Sequence, residues 1–264
     1  MAPPTPSEIR ANPHKWAFFL DIDGTLIDLA PDPEKVLVPA DLPPLLRSLE
    51  ARFEGALALN TGRQLYVVDH MMAPQRFAAA GVHGTELRTR HGGETAQMAP
   101  PVPRALITEV EAAAFTLHPE IKVEYKHVGV AVHFRHVPAC ESNLRVALER
   151  IVRGWSAFEM RPGRKVLELV PRTLTKATAI AHFLRAAPFR DRLPIVIGDD
   201  IGDGPALAYA RELGGVSMTV AGEHFPLSIA TFSDTASVRA WLHEIVAPAR
   251  GQRAQGARLS PERR

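Results

Sequence analysis

The fold of this chain is decided by one stretch, Trp16-Ala17-Phe18-Phe19-Leu20-Asp21-Ile22-Asp23-Gly24-Thr25-Leu26. Its apolar first half predicts a buried strand, because short apolar runs that end in polar turn residues are typical of parallel sheets. Side chains two positions apart on an extended chain share a face, so Asp21 and Asp23 leave the strand end on the same side. This spacing predicts phosphoryl transfer, with Asp21 as the nucleophile that attacks phosphorus and Asp23 as the acid that protonates the departing ester oxygen.

Further short apolar runs alternate with helical patterns along the chain. The clearest additional strands are predicted at Ala56–Leu59 and Pro194–Ile197. This alternation predicts an α/β fold with a Rossmann-like, doubly wound parallel sheet that helices cover on both faces. The second strand runs into Asn60-Thr61-Gly62-Arg63 and the third into Gly198-Asp199-Asp200. Ligands of open α/β sheets bind outside the carboxyl ends of the strands, so we expect these polar clusters to meet in one crevice.

The pattern changes in the middle of the chain, where we predict an inserted α+β unit. Its predicted helices and strands are Arg104–Leu117, Ile121–Tyr125, Gly129–Arg135, Cys140–Arg153 and Val166–Val170. The predicted domains are a core formed by residues 1–88 and 172–247, a cap insert at 89–171, and a flexible basic tail at 248–264.

Composition excludes several classes of protein. The 31 basic and 29 acidic residues leave a formal charge of +2, much of it in the tail, so we expect no nucleic-acid partner. No apolar run approaches the roughly 20 residues that span a bilayer, so we expect no membrane association. Cys140 is the only cysteine, which excludes an intramolecular disulfide and predicts a reducing, cytoplasmic compartment.

The acidic loop after the third predicted strand indicates a metal site. Asp199, Asp200 and Asp203 place three carboxylates within five residues, and such carboxylates repel one another unless a cation is present. Oxygen ligands favour a hard divalent ion, and Mg²⁺ fits best. The other acidic segment, which begins at Asp21, is not an EF-hand calcium loop. Such a loop has glycine at its sixth position and glutamate at its twelfth, where this chain has Leu26 and Asp32.

Thr61 and Lys176 each allow two interpretations from the residues alone. Thr61 is either a turn residue or a hydroxyl that donates to a phosphoryl oxygen. Lys176 begins a predicted helix that runs toward Leu184. It is either a solvated surface charge or a cation that offsets charge on the transferring phosphoryl group.

The order of these motifs resembles the haloacid-dehalogenase (HAD) superfamily: an Asp-x-Asp-Gly-Thr strand end, a hydroxyl strand end, a lysine, then Gly-Asp-Asp-x-x-Asp. Further motifs resemble the trehalose-6-phosphate phosphatase family within it. These motifs are Leu59–Arg63, Ala80–Arg88, Val132–Arg135, Pro162–Glu168 and Ile195–Asp200. The resemblance covers about residues 16 to 246, and it implies a HAD core with an inserted cap.

The resemblance also implies a role for each matched core position. Asp21 would form an aspartyl-phosphate, and Asp23 would act first as acid and then as base. Thr61 and Lys176 would hold the phosphoryl oxygens. Mg²⁺ would be bound by the Asp21 carboxylate, the Asp23 main-chain carbonyl and Asp199. Asp203 would complete the site, either directly or by positioning water and Lys176, while the role of Asp200 stays open.

The implied substrate is trehalose 6-phosphate, hydrolysed to trehalose and phosphate as the last step of trehalose biosynthesis. Functional coupling to trehalose-6-phosphate synthase is a further expectation. The residues implied to bind the substrate are Arg63, Glu124, Lys126, His133, Arg135, Arg164 and Glu168. Without the resemblance, surface ion pairs are the favoured interpretation of the polar residues of the insert.

Two alternative functions stay open. The same chemistry on another sugar phosphate, such as sucrose 6-phosphate or mannosyl-3-phosphoglycerate, differs only in what the insert recognises. A catalytically inactive, sugar-phosphate-binding regulator belongs to a different class. It predicts the loss of Asp21, Asp23, Lys176 or Asp199, and all four are present.

Overall fold

The computed structural model describes residues 4–30, 35–163 and 165–248. The strands are β1 Trp16–Leu20, β2 Leu57–Asn60, β3 Ala78–Gly81, β4 Glu86–Arg88, β5 Ala96–Gln97, β6 Lys122–Lys126, β7 Gly129–His133, β8 Phe158–Gly163, β9 Val166–Pro171, β10 Leu193–Gly198 and β11 Val216–Thr219. The helices are α1 Pro6–Ala11, α2 Leu42–Arg52, α3 Leu65–Met71, α4 Arg104–Leu117, α5 Glu141–Arg153, α6 Lys176–Phe183, α7 Gly204–Glu212 and α8 Thr235–Val246. Except for residue 248, the predicted basic tail lies outside the described residues.

Within the described ranges, the larger sheet has seven strands in the order β11-β10-β1-β2-β3-β4-β5. β1 lies near the middle and pairs in parallel with β10 on one side and β2 on the other. All of its residues are buried, as expected for a central strand with both faces covered. The predicted strand at Trp16–Leu20 is confirmed, and the other two predicted core strands differ from β2 and β10 by one residue at each end.

Helices cover both faces of this sheet. The chain moves from β1 through α2 to β2 in one direction across the sheet, and from β10 through α7 to β11 in the other. Right-handed crossovers in opposite directions place α2 and α7 on opposite faces. Helices α1 and α2 both pack against α8, whereas α6 packs against α7. The predicted doubly wound α/β core is therefore confirmed.

A second sheet forms the separate α+β unit. In the described part of the chain it contains four antiparallel strands in the order β6-β7-β9-β8. Helices α4 and α5 pack on each other and on this sheet. Val130 and Val132 of β7 join Leu167 and Leu169 of β9 in a hydrophobic cluster of this unit. The residues that alternate with these valines and leucines therefore occupy the other face of the sheet.

Three details of the insert differ from the sequence-based expectation. β5 pairs with β4 in the larger sheet, so that sheet extends beyond residue 88, and the exact bounds of the insert stay a prediction. β8 is an additional strand at the edge of the smaller sheet, where its Pro162 is tolerated. β7 ends at His133, because the chain turns there and Val137 N–H donates to the carbonyl of Phe134.

No helix in the described ranges is both long and apolar enough to cross a lipid bilayer.

Candidate active site

Charged side chains from three separate parts of the chain meet beyond the carboxyl ends of β1 and β10. Asp21 follows β1, Asp199 and Asp203 follow β10, and Lys176 begins α6. The Lys176 Nζ donates to Asp21 Oδ1 and to Asp203 Oδ1, both at 2.6 Å. One carboxylate oxygen from each of the three aspartates lies within 4.8 Å of the others. The expected convergence of the strand-end clusters is therefore confirmed for these residues.

The position of Lys176 is set by its backbone. Thr175 caps α6, with its hydroxyl accepting from Thr178 N–H. The Asn60 Nδ2 at the end of β2 donates to the carbonyl of Lys176 at 3.0 Å. Only 5% of Lys176 is exposed, so the interpretation as a solvated surface charge is wrong.

Asp203 organises the acidic loop. Its Oδ1 accepts from Lys176, while its Oδ2 accepts from the main-chain N–H groups of Asp199 at 3.2 Å and Asp200 at 3.1 Å. Asp200 is not in the acidic cluster of the described residues. Its Oδ1 accepts from Ile201 N–H and lies 2.8 Å from His224 Nε2, so Asp200 shapes the turn of this loop.

Asp199 is packed directly against the Asp-x-Asp-Gly-Thr turn. A Cβ atom placed on Gly24 would lie 2.0 Å from Asp199 Oδ2, and Gly24 has a φ of +76°. Thr25 Oγ1 donates to Asp199 Oδ1 at 3.3 Å and lies 3.5 Å from Asp21 Oδ2. The glycine of the motif thus allows the close approach, and the threonine hydroxyl links the two carboxylates.

The cluster carries excess negative charge in a buried place. Burial raises the pKa of Asp21 well above its usual value, against the opposing charge of Lys176. Burial also raises the pKa of Asp199 to about 7, with the charge of Asp203 acting in the same direction. Burial lowers the pKa of Lys176, but the carboxylates of Asp203 and Asp21 outweigh this effect and raise it overall. One ammonium does not neutralise three carboxylates, and the oxygen donor set fits a hard divalent cation.

Asp23 and Arg63 form a second contact at the strand ends. Arg63 donates from Nε to Asp23 Oδ2 and from Nη2 to Asp23 Oδ1, both at 2.6 Å. The Thr61 hydroxyl accepts from Arg63 N–H at 3.2 Å, which is the turn contact that its sequence position allowed. Arg63 thus clamps the side chain of Asp23 in a bidentate pair.

The polar face of the smaller sheet reaches the core at Glu168. Its Oε2 lies 2.8 Å from His83 Nε2, and its Oε1 accepts from Lys126 Nζ at 2.5 Å. Burial raises the pKa of Glu168, but the charges of His83 and Lys126 outweigh it and hold that pKa below its usual range. Because Glu168 and the Lys126 side chain are largely buried, this contact is not a surface ion pair.

Two further predicted sugar contacts, Glu124 and His133, are more exposed than Glu168 and Lys126. Glu124 and His133 lie 2.8 Å apart, on neighbouring strands, with both side chains more than one third exposed. The hydrogen bond with His133 lowers the pKa of Glu124. Arg135 lies in the turn after β7, and Arg164 lies outside the described residues.

Asn60, Thr25 and His83 had no predicted role. Asn60 and Thr25 lie inside the quoted motifs. Asn60 could have been recognised as a polar residue at the end of a buried strand. His83 contacts Glu168 across 85 sequence positions, a pairing that no local pattern encodes.

The fold and the site together define the class of protein. A doubly wound core, an inserted α+β unit, and an Asp-x-Asp strand end beside an acidic loop and a buried lysine characterise the HAD superfamily. Comparison with known proteins then identifies the family. The chain belongs to the trehalose-phosphatase family, whose model matches residues 19–233.

Individual relatives agree with this family. The trehalose-6-phosphate phosphatase of Escherichia coli (strain K12) is 35% identical over 209 residues, which cover 78% of this chain and 77% of the relative. A probable trehalose-phosphate phosphatase of Sinorhizobium fredii is 36% identical over 220 residues, or 81% of each chain. The C-terminal domain of trehalose-6-phosphate phosphatase from C. albicans superimposes with a TM-score of 0.76, covering 93% of this chain and 99% of that one. At 16% identity this last likeness shows the fold alone.

Proposed function

We propose that this protein hydrolyses trehalose 6-phosphate to trehalose and phosphate through an aspartyl-phosphate on Asp21. One observation carries the mechanism: Asp21 is buried at the end of β1, within hydrogen-bond distance of Lys176 and beside Asp199 and Asp203. A buried carboxylate with a fixed cation and a cluster of oxygen ligands is an arrangement suited to nucleophilic attack on phosphorus. The match to the trehalose-phosphatase family supports the sugar.

Two displacements complete the reaction. In the first, a bond forms between Asp21 and phosphorus, the bond from phosphorus to the sugar oxygen breaks, and Asp23 gives its proton to that oxygen. In the second, Asp23 takes a proton from water, the water oxygen bonds to phosphorus, and the carboxylate of Asp21 is released. The two hydrogen bonds from Arg63 orient the ionised form of Asp23, which acts as the base in the second displacement. Lys176 and Thr61 hold the phosphoryl oxygens.

The acidic cluster is the proposed Mg²⁺ site. Asp21, Asp199 and Asp203 would hold the ion through carboxylate oxygens, and the main-chain carbonyl of Asp23 is the further proposed ligand. When bound, the ion offsets charge on the carboxylates and on the phosphoryl oxygens. Lys176 maintains the spacing of Asp21 and Asp203 by binding one oxygen of each.

The insert is the proposed cap that recognises the sugar and excludes water. Its polar face presents side chains suited to hydroxyl groups, and one of them, Glu168, already reaches the core. The proposed sugar contacts are Glu124, Lys126, His133, Arg135, Arg164 and Glu168. We further propose a cytoplasmic location, since Cys140 is the only cysteine, and functional coupling to trehalose-6-phosphate synthase.

Phosphate release from a panel of sugar phosphates tests this function. The panel contains trehalose 6-phosphate, sucrose 6-phosphate, mannosyl-3-phosphoglycerate and glucose 6-phosphate, each with Mg²⁺ and with a chelator. We expect kcat/KM for trehalose 6-phosphate to exceed the others by at least about tenfold, a difference of about 1.4 kcal/mol, and the chelator to abolish turnover. Preference for another member of the panel contradicts the proposed sugar, and binding without turnover of any member supports the inactive regulator.

Thermal unfolding provides an independent test of the metal site. Because the folded-state pKa of Asp199 is raised to about 7, the contribution of Asp199 to the stability of the metal-free protein is lost as pH rises from about 4 to about 7. Mg²⁺ must also displace that proton at lower pH. We expect saturating Mg²⁺ to raise Tm by about 5 °C at pH 8 and by less at pH 6. An equal shift at both pH values, or none, contradicts the assignment of this cluster.

A further inference from the structure

The turn after β3 has an unusual backbone. Val82 and His83, in the short helical turn Val82–Gly84, have φ values of 46° and 56°. Positive φ is uncommon outside glycine, and for a β-branched residue such as Val82 it is an outlier. Strained positions of this kind persist only where the surrounding structure enforces them. The contacts of His83 show what this turn positions.

One side of His83 is fixed to the loop that carries Thr61. His83 N–H donates to the carbonyl of Thr61 at 3.1 Å, and Val82 N–H donates to the carbonyl of Arg63 at 3.0 Å. The imidazole ring lies so close to Gly62 that a Cβ atom there would be 2.8 Å from His83 Cε1. The ring is therefore packed on the segment between the hydroxyl of Thr61 and the guanidinium of Arg63.

The other side of His83 reaches the smaller sheet. Its Nε2 lies 2.8 Å from Glu168 Oε2, and Lys126 donates to the second oxygen of the same carboxylate. Glu168 is only 6% exposed, so this carboxylate depends on its partners for hydrogen bonds. Core and insert thus share one buried carboxylate, with one oxygen bound from each side.

We propose that His83 is a positioning residue that docks the insert onto the core. By holding Glu168, it places Glu168 and Lys126 over the Thr61–Arg63 loop, so that both are in position when the phosphate reaches Asp21. This inference rests on the proposed function only in assigning a sugar-binding role to Glu168 and Lys126. It predicts that loss of the His83 contact weakens substrate binding before it slows the chemistry.

Two substitutions distinguish the loss of the contact between His83 and Glu168 from a disturbance of the positive φ at position 83. His83→Asn suits a positive φ but is too short to reach Glu168. His83→Gln places an amide nitrogen near the position of Nε2 and retains the donor. Loss of a hydrogen bond to a charged group weakens an interaction by roughly tenfold or more. For His83→Asn we therefore expect a KM increase of at least about tenfold, a kcat change below about threefold, and substantial recovery of KM in His83→Gln.

A double-mutant cycle with Glu168→Ala, which removes both carboxylate oxygens, shows whether His83 acts through Glu168. In the Glu168→Ala background, we expect His83→Asn to change KM by less than about twofold. A matched control is His14→Asn, which removes an exposed His–Glu contact at 3.0 Å, remote from the site, and should leave kinetics unchanged. Each comparison uses the Mg²⁺-loaded protein with the sugar phosphate that the wild type hydrolyses best.

The outcomes separate this inference from the proposed function. An unchanged KM in His83→Asn, a fall confined to kcat, or full additivity with Glu168→Ala would overturn the docking role. If melting curves show that Asn destabilises the turn, His83→Gly takes its place in the same comparisons, because glycine adopts a positive φ without strain and has no side chain to reach Glu168. If the wild type does not prefer trehalose 6-phosphate, the proposed sugar is wrong. The ratio of the KM of each variant to the KM of the wild type still tests the role of His83.

Discussion

Replacing Asp21 with Asn is expected to lower kcat by at least about 10⁴-fold while the fold persists. The amide has nearly the shape of the carboxylate but does not attack phosphorus. Asn at position 21 also removes one negative charge from a buried cluster in which Asp199 and Asp203 disfavour the ionised form of Asp21. We therefore expect the Tm of the metal-free variant to stay near the wild-type value. Initial rates with Mg²⁺ and thermal melting check both statements.

Asp28→Asn is the matched control for this substitution. Asp28 lies on the same segment but accepts a hydrogen bond from Thr235 Oγ1 outside the cluster, and an Asn oxygen can accept the same bond. We expect its kcat to stay within about twofold of wild type. Undiminished turnover in correctly folded Asp21→Asn would remove Asp21 from the chemistry altogether.

Gly24→Ala is expected to cost about 10²- to 10³-fold in kcat/KM, because misplacement of a catalytic group by about 1 Å has effects of this size. The added Cβ would lie 2.0 Å from Asp199 Oδ2, and the φ of +76° disfavours any side chain at this position. Asp199 must therefore move away from Asp21 and Asp203. We also expect the Mg²⁺-dependent increase in Tm to be lost, which melting with and without Mg²⁺ measures.

Gly202→Ala is the control that shows whether the acidic loop is sensitive to any glycine substitution, or only to one that disturbs the contact between Gly24 and Asp199. Gly202 lies between Asp199 and Asp203, yet a Cβ atom there would meet no atom within 4 Å, and its φ is outside the positive range. Activity and the Mg²⁺ effect should be retained in this variant. Equal losses in the two glycine variants would mean that the contact between Gly24 and Asp199 has no special role.

The core of the fold could be predicted because its signals are local. The run at Trp16–Leu20 is apolar on both faces, as a central parallel strand requires, and its polar ending marks the ligand edge of the sheet. The convergence of Asp21 with Asp199 followed from topology alone, since carboxyl ends of parallel strands share an edge. The burial of Lys176 could not be predicted in this way, because its partner Asp21 is 155 positions away in the sequence.

The insert was less predictable for physical reasons. β5 has only two residues, both exposed, so it carries no hydrophobic alternation. β8 contains Pro162 and several polar residues, which weaken any strand pattern. The expected strand through Arg135 stopped at His133, because hydrogen bonds of the following turn compete with the ladder. Contacts between insert and core, such as that of His83 with Glu168, depend on how the two units dock.

Trapping the phosphorylated enzyme shows directly whether Asp21 carries the phosphoryl group. The protein is mixed with Mg²⁺ and trehalose 6-phosphate, quenched in acid during turnover, and reduced with borohydride, which converts an acyl phosphate to an alcohol. Digestion and mass spectrometry then locate the modified residue. We expect homoserine in place of Asp21 and nowhere else, and no modification in Asp21→Asn. Modification of a different residue, or an unmodified Asp21 in a sample that is releasing phosphate, would contradict this role of Asp21.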